Sequence, residues 1–380
     1  GDTTDDLIEL ANKCHSNPPK REMDQLLATG EQVSIALMAM TLESMGVPAV
    51  SLTGGQVGII TEPSHTRAKI KSVARARLEK ELAAGKVPVV AGFQGLADGT
   101  AITAEGETCV ADTTTLGRGG SDTTAVALAA ALGADECEIY TDVDGIYTTD
   151  PRIEPNARKL RDISYEEMLE LASQGARVMH PRAVELGEVY RLPILVASSF
   201  REAPGTLIHG GVSMEQRNKV RGIAHDTDVA KITVRGVPDR PGIAAAIFEP
   251  LAEHGISVDT IVQNASLEGL TDLTFTVSRG DLAKAMEFVE PVAREIGAAG
   301  CVADGTLGKV SVVGTGMQSA PGYAARMFRA LFEAGINIEM ISTSEIRITC
   351  IIKGEQVADA VRALHKAFQL ERAEEEPAQA

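Results

Sequence analysis

The run Gly117-Arg118-Gly119-Gly120-Ser121-Asp122, continued by Thr123-Thr124-Ala125-Val126-Ala127-Leu128-Ala129-Ala130-Ala131-Leu132, is a glycine turn that feeds a helix. Three glycines let the backbone approach a ligand closely. Ser121 or Asp122 can cap the helix, and the free N–H groups of its first turn face whatever sits in the loop. Arg118 adds a planar fork that matches a carboxylate or a phosphate. The stretch therefore reads as a seat for anions. Glycine turns also serve as plain tight connections, so the neighbouring segments decide its use.

From the start to about Ser199, helical stretches alternate with short β-branched runs at Val47–Leu52, Val87–Gly92, Glu138–Val143 and Pro193–Ser198. This alternation predicts an α/β domain with a mostly parallel sheet covered by helices, whose ligands bind outside the carboxyl ends of the strands. Thr29-Gly30-Glu31-Gln32 reads as a capping box opening a helix through Met45, with Gly46 closing it. That places Glu31 in a first helical turn near a strand end. A second helix is predicted from about Thr66 to Ala84.

A polar stretch from Arg201 to Asp228 marks the exit from this domain, and the chain beyond it repeats. Lys231-Ile232-Thr233-Val234 leads to Pro241-Gly242 and then to Glu253-His254-Gly255-Ile256-Ser257-Val258. Lys309-Val310-Ser311-Val312 leads to Pro321-Gly322 and then to Glu333-Ala334-Gly335-Ile336-Asn337-Ile338. The interval from proline to the later glycine is the same in both, which predicts two copies of one β-α-β-β-α-β unit. The expected domains are 1–205, 229–305 and 306–370, with a linker at 206–228 and an acidic disordered tail at 371–380.

The chain has 380 residues, is 44% hydrophobic and 23% charged, and carries a formal net charge of −17. Such acidity argues against nucleic acid or an anionic membrane as partner, since both need a basic footprint. No apolar run is long enough for a membrane span, and the start lacks a signal-peptide pattern; a cytoplasmic location is expected. The five cysteines, Cys14, Cys109, Cys137, Cys301 and Cys350, have neither metal nor disulfide spacing, so no zinc site is expected.

Four clusters of the first domain carry candidate chemistry. In the Arg118 turn, Arg118 could clamp a substrate carboxylate and Ser121 touch phosphate. Glu31 could take an ammonium group. Thr141-Asp142-Val143-Asp144-Gly145-Ile146-Tyr147-Thr148-Thr149-Asp150-Pro151-Arg152 leaves a strand through an acidic turn and offers hydroxyls, a ring and a guanidinium. In Gly175-Ala176-Arg177-Val178-Met179-His180-Pro181, Arg177 could reach a polyphosphate, while His180 reads as structural. No Ser/His/Asp set or glycosidase carboxylate pair is present. Chemistry that needs mainly positioning and positive charge is phosphoryl transfer.

On the runs Thr114 to Thr123 and Asp142 to Arg152, and in its order of segments from Gly1-Asp2-Thr3-Thr4-Asp5 to Thr343-Ser344-Glu345, the chain resembles bacterial aspartokinases. The resemblance implies a three-layer amino-acid-kinase sandwich followed by two ferredoxin-like ACT domains. It implies ATP- and Mg²⁺-dependent phosphorylation of the aspartate side chain, the first step toward lysine, threonine, methionine and diaminopimelate. Glu31 and Arg118 would hold the amino and α-carboxylate groups, with Gly119, Gly120 and Ser121 in the same pocket and Asp122 beside Arg118 in catalysis. Ser121, Thr141, Asp142, Tyr147, Thr148, Thr149, Asp150, Pro151, Arg152, Arg177 and Val178 would line the ATP site.

Lysine, threonine or both would act as feedback effectors bound between ACT domains of neighbouring chains, in a homodimer or tetramer with or without a separate regulatory subunit. The implied effector residues are Asp239, Arg240, Pro241, Gly242, Ile243, Ala244, Ser257, Val258, Asp259, Gln263 and Asn264 in the first ACT domain. Asn337, Ile338, Thr343, Ser344 and Glu345 are their counterparts in the second. Against the family pattern, the sequence lacks the opening strand and Lys-x-Gly-Gly turn, and the stretch from about Ala97 to Asp112 is longer. Arg177 stands where lysine is frequent, Ser257 where asparagine is, and Ala197 where arginine is. Three readings are open. One is a catalytic aspartokinase represented without its first segment, and another is a non-catalytic subunit that senses amino acids. A related kinase with another acceptor is a third.

Overall fold

The computed structural model describes residues 3–98, 111–176, 178–211, 220–264, 269–317 and 321–372. It divides into two compact units: Gly1–Ile146, Arg161–Leu169 and Arg177–Val212 form the first, and Tyr147–Leu160, Glu170–Ala176 and Ser213–Ala380 the second.

The first unit opens with helices α1 (Thr3–Cys14) and α2 (Lys20–Ser44), then β1 (Ala49–Leu52), α3 (Gly54–Val57), β2 (Ile59–Thr61) and β3 (Ile70–Val73). It continues with α4 (Ala76–Ala83), β4 (Val87–Val90), β5 (Gln94–Ala97), β6 (Thr113–Thr115), α5 (Gly120–Leu132) and β7 (Cys137–Thr141). Next come β8 (Asp162–Ser164), α6 (Tyr165–Ser173, assigned to this unit as far as Leu169), α7 (Pro181–Tyr190), β9 (Ile194–Ser198) and β10 (Thr206–His209). Strands β1 and β4 pair in parallel; the other sheets run β7-β9-β10-β8 and β3-β2-β5-β6. Parallel pairs are β1 with β4, β2 with β5, β7 with β9 and β8 with β10. The antiparallel pairs are β2 with β3, β5 with β6 and β9 with β10.

Leu52, Val57, Ile59 and Leu78 form a buried cluster against which Leu128 and Leu132 of α5 pack. Helix α5 is built of small residues, so it can lie close to its neighbours; its Thr123, Thr124, Val126 and Ala127 are all buried.

Two local expectations are corrected. Helix α2 is continuous from Lys20 to Ser44 with Pro19 at its N-cap, so Glu31 lies in mid-helix. The Thr29 hydroxyl donates to the Leu26 carbonyl at 2.6 Å instead of capping a new start. The predicted helix from Thr66 to Ala84 is the strand β3 followed by the short helix α4, because Ile70–Val73 pairs with Ile59–Thr61. Within the span read as a linker, Thr206–His209 is strand β10, and the next strand begins at Gly222.

The second unit holds β11 (Gly222–Pro238), α8 (Ile243–Glu253), β12 (Ile261–Gln263), β13 (Leu270–Val277), α9 (Leu282–Glu295) and β14 (Gly300–Val313). The second repeat adds α10 (Tyr323–Glu333), β15 (Met340–Thr343), β16 (Arg347–Lys353) and α11 (Val357–Phe368). All six strands join one antiparallel sheet in the order β12-β13-β11-β14-β16-β15. The two repeats are interlocked. Gly222–Asp226 of β11 pairs with Lys309–Val313 of the second repeat, whereas Lys231–Arg235 pairs with Gly300–Asp304 and Ala230–Pro238 with β13. Each repeat keeps its own core, one around Ile247, Leu251, Phe275 and Val289 and the other around Val310, Met327, Leu331 and Leu364.

Candidate functional site

The Arg118 turn has the backbone its glycines predict. Gly117 and Gly119 take φ +80° and +69°, a region that costs other residues about 1–2 kcal/mol. Gly119 is the N-cap of α5, so the cap is backbone, not Ser121 or Asp122 as the side chains suggest. Space explains the glycines as much as conformation does. A Cβ on Gly119 would lie 2.4 Å from the Cβ, Cγ and Cδ2 of His180, and one on Gly120 2.8 Å from Leu116 Cβ and 2.9 Å from Phe93 Cδ2. Gly92, just past β4, packs closely but less tightly against Ser121, whose Cα would lie 3.2 Å from its added Cβ. The turn thus sits at the carboxyl end of β4, with its first helical N–H groups at the open end of α5.

Arg118 is 90% exposed and reaches only the Asp5 carboxylate of α1, at 3.4 Å, among its described partners. A surface pair of this kind contributes little, so an incoming carboxylate can take the place of Asp5. The same helix lies over Gly30: Thr3 and Leu7 come within 3.5 and 3.6 Å of a Cβ placed there. Helix α1 therefore borders both Arg118 and the α2 segment that carries Glu31. Burial pushes the Glu31 carboxyl above its ordinary range; an ammonium ligand would reverse that cost.

Asp122 does not cap α5. Its half-buried carboxylate accepts the backbone N–H of His180, and desolvation still raises its pKa. His180 is held in turn: its Nδ1 accepts the Arg182 N–H at 3.3 Å, and burial lowers its pKa. Read as structural from sequence, His180 walls the glycine turn.

Thr141 ends β7 and Asp142 follows it; the Thr141 hydroxyl bonds the Asp142 carboxylate at 3.0 Å and the Thr141 carbonyl accepts from Ser199 at 2.8 Å. Beside them is an open groove of about 490 Å³ lined by Tyr140, Ala197, Ser198, Phe200, Arg201 and Pro204 among others. Val178 is half-buried in the same unit, and Arg177 lies outside the described residues. Tyr147 to Arg152 belong to the second unit. There Thr148 and Thr149 are buried, at 0% and 4% exposure. The Thr148 hydroxyl bonds His365 Nε2 at 3.0 Å and accepts the Arg158 N–H at 2.9 Å. These two hydroxyls are therefore turned into the protein, and Pro151 and Arg152 form the exposed part of the loop. The Arg152 guanidinium grips Asp150 at 2.8 and 3.0 Å, which holds the Asp150 carboxyl below its ordinary range.

Among the described residues, no group of three or more His, Cys, Asp or Glu converges as a metal site. Nor is any described helix long and apolar enough to cross a membrane.

In the second unit, Gly242 and Gly322 cap α8 and α10 with φ +92° and +103°, so the two equivalent helices open on glycines of the same left-handed conformation. Asn337 lies 3.4 Å from Glu339, and Ser344 donates its N–H to Arg347. Sequence reading overlooked a crossed pair of ion bridges. Lys231 and Lys309 hold equal places in the two repeats, as do Asp259 and Glu339. Lys231 Nζ meets Glu339 at 3.1 Å, and Lys309 Nζ meets Asp259 at 2.8 Å. Each lysine is bound by the other repeat's acid.

The Lys309 side chain is only 6% exposed, so Asp259→Ala strands a nearly buried ammonium group. We expect a loss of about 2–3 kcal/mol, the lower side of a broken buried pair because Asp259 is itself half-exposed. Thermal melts of Asp259→Ala and of Asp259→Ala/Lys309→Met check this. The double variant should recover most of the loss, and equal melting of wild type and single variant would exclude a structural role for the pair.

Comparison with known proteins fits this site to a family. Residues 1–198 match the amino acid kinase family model, and residues 232–287 and 310–368 match ACT domain models. The aspartokinase of Pseudomonas aeruginosa is 51% identical over 371 residues, covering 97% of this chain and 87% of that protein. The aspartokinase of Mycolicibacterium smegmatis is 50% identical over 97% of this chain and 86% of its own length. Among solved structures, E. coli aspartokinase III with aspartate and ADP, in its R-state, superposes with TM-score 0.77 at 28% identity, covering 96% of this chain and 79% of that one. The same enzyme with lysine and aspartate, in its T-state, gives 0.68. With a glycine turn that presents an arginine at a helix N-terminus, two interlocked ACT repeats and half-identity to such enzymes along nearly its whole length, this chain belongs to the aspartokinases.

Proposed function

We propose that the chain transfers the γ-phosphoryl group of ATP to the side-chain carboxylate of aspartate, with lysine, threonine or both as feedback effectors acting through the ACT repeats. The observation that carries the substrate reading is the αL glycine turn. It sets Arg118 immediately before the N-terminus of α5, and α1 borders both Arg118 and the α2 segment that carries Glu31. Arg118 takes the α-carboxylate and Glu31 the ammonium group. The distal carboxylate is then left free to attack the γ-phosphorus, forming an acyl phosphate as the bond to the ADP oxygen breaks. Thr141, Asp142, Tyr147, Arg152, Arg177 and Val178 are the proposed nucleotide residues. Magnesium would enter with the phosphates, keeping most of its water. It would neutralise charge on the transferring group.

The E. coli enzyme's complexes with aspartate, ADP and lysine support the same substrate, nucleotide and one of the effectors. An effector inhibits only by binding better to a state in which the kinase site is less competent. The biosynthetic place is the entry to the amino acids that derive from aspartate. A hydroxamate assay of the full-length gene product with aspartate, glutamate and acetylglutamate, with and without lysine and threonine, tests the reading. Turnover confined to aspartate supports it, and preference for another acceptor rejects it.

Glu31 adds a pH test. Its pKa is raised in the folded protein, so its ionised form costs stability, and that cost grows as pH rises through the folded value. Aspartate binding relieves the cost, and acidification toward that raised value removes the ammonium partner. The aspartate KM should therefore climb on the acid side. Glu31→Gln should raise it by about 10–100-fold at neutral pH, the loss of one charge-assisted hydrogen bond, and flatten the acid limb. An unaltered KM profile in Glu31→Gln would assign the ammonium group to another residue.

A further inference from the structure

Asp24 is an acidic residue with 0% exposure in the first third of α2, where the other buried positions are Ala28, Ile35 and Ala39. A carboxylate is excluded from water only where donors replace the water. Here the donors come from two segments distant in sequence. The Thr66 backbone N–H reaches both carboxylate oxygens at 3.1 Å, and His65 Nδ1 lies 2.7 Å from one of them. The Thr115 hydroxyl donates to the other. Thr115 is the last residue of β6, two before the glycine turn.

The Thr66 loop rests on that turn. Thr66 has φ +69°, a conformation costly for a β-branched residue that persists only where its surroundings impose it. Its carbonyl lies 3.0 Å from the place a Cβ on Gly117 would take. On the far side, the Arg182 fork donates to the Leu116 and Ala68 carbonyls, both at 2.9 Å, and the Ala68 N–H donates to the Thr115 carbonyl at 3.0 Å. The residues leading into Arg118 are thus clamped between Asp24 and Arg182. Asp24 and Glu31 lie two turns apart on one face of α2.

From this we infer that Asp24 is a positioning residue for the acceptor substrate: through Thr115, His65 and Thr66 it fixes the Arg118 turn to the helix that carries Glu31. One helix then sets the distance between the group that holds the ammonium end and the loop that holds the carboxylate. The inference rests on the reading of Arg118 and Glu31 as the aspartate clamp, so wild-type acceptor specificity is measured first and shows separately whether that reading stands.

The test is steady-state kinetics of the full-length protein and its Asp24→Asn variant. Asparagine keeps the shape but loses the charge and one acceptor oxygen. The expected result is an aspartate KM raised about tenfold or more, as the clamp loses alignment, with the ATP KM within twofold of wild type. A role confined to stability would lower the active fraction, so that kcat falls with both KM values unchanged; that outcome overturns the inference. Should Asp24→Asn fail to fold, Thr115→Val removes one hydroxyl donor and leaves the other contacts of Asp24 in place. It should raise the aspartate KM selectively by about threefold, and equal KM values there overturn the inference as well.

Discussion

Arg118→Ala should lower kcat/KM for aspartate by about a thousandfold, the scale expected when one partner of a desolvated, hydrogen-bonded charge pair is removed. The fold should not notice the change. In the free protein Arg118 is 90% exposed and has Asp5, itself largely exposed, as its described partner, so the pair contributes little to stability. Loss of function without loss of stability separates a substrate-binding arginine from a structural one. Arg118→Lys restores a charge but not the two-pronged geometry, and should recover only a small part of the activity. ATP affinity, measured by fluorescence titration or calorimetry, should stay within about twofold in both variants, because apart from Ser121 the nucleotide is assigned to other loops. A full-length Arg118→Ala protein with wild-type catalytic efficiency would remove Arg118 from the site.

The parts of this protein that the sequence made readable are those whose cause is local. A glycine turn before a run of small residues announces its backbone, because only glycine accepts φ +69° at position 119 at so little cost. The two ACT repeats were visible because the same proline, glycine and acid recur at equal spacing. What could not be read depends on partners far along the chain. Thr29-Gly30-Glu31-Gln32 has the composition of a capping box, yet α2 runs through it; Pro18-Pro19 just ahead of Lys20 was the better start signal.

The sharing of β11 and β14 between repeats arises from pairings between residues as distant as Gly222 and Val313, which no local pattern encodes. Asp24 was missed for the same reason: its donors stand 41, 42 and 91 residues away. Its seven-residue offset from Glu31 was the one sequence clue. Thr148 shows the same dependence on a distant partner. Its motif suggested a ligand, but the second unit uses its hydroxyl to bind His365.

Gly119→Ala is expected to damage both stability and catalysis, and a control at the other end of the same helix separates the causes. Gly133, the C-cap of α5, has φ +66°, nearly that of Gly119, but no atom lies within 4 Å of an added Cβ. Gly133→Ala therefore costs only the left-handed conformation, about 1–2 kcal/mol. At Gly119 the added methyl lands 2.4 Å from three atoms of His180, and repacking such an overlap costs about 1–3 kcal/mol more. The displacement cannot stay local. The His180 N–H holds the Asp122 carboxylate, and its ring walls the turn that aims Arg118. We expect Gly119→Ala to lower the melting of the first unit by roughly 5–15 °C, at about 2–4 °C per kcal/mol for a folding unit of that size. Its kcat/KM for aspartate should fall at least about a hundredfold even below its melting range, whereas Gly133→Ala should lose stability alone. Equal activity of the two variants at a temperature where both are folded would show that the His180 contact has no part in shaping the aspartate seat.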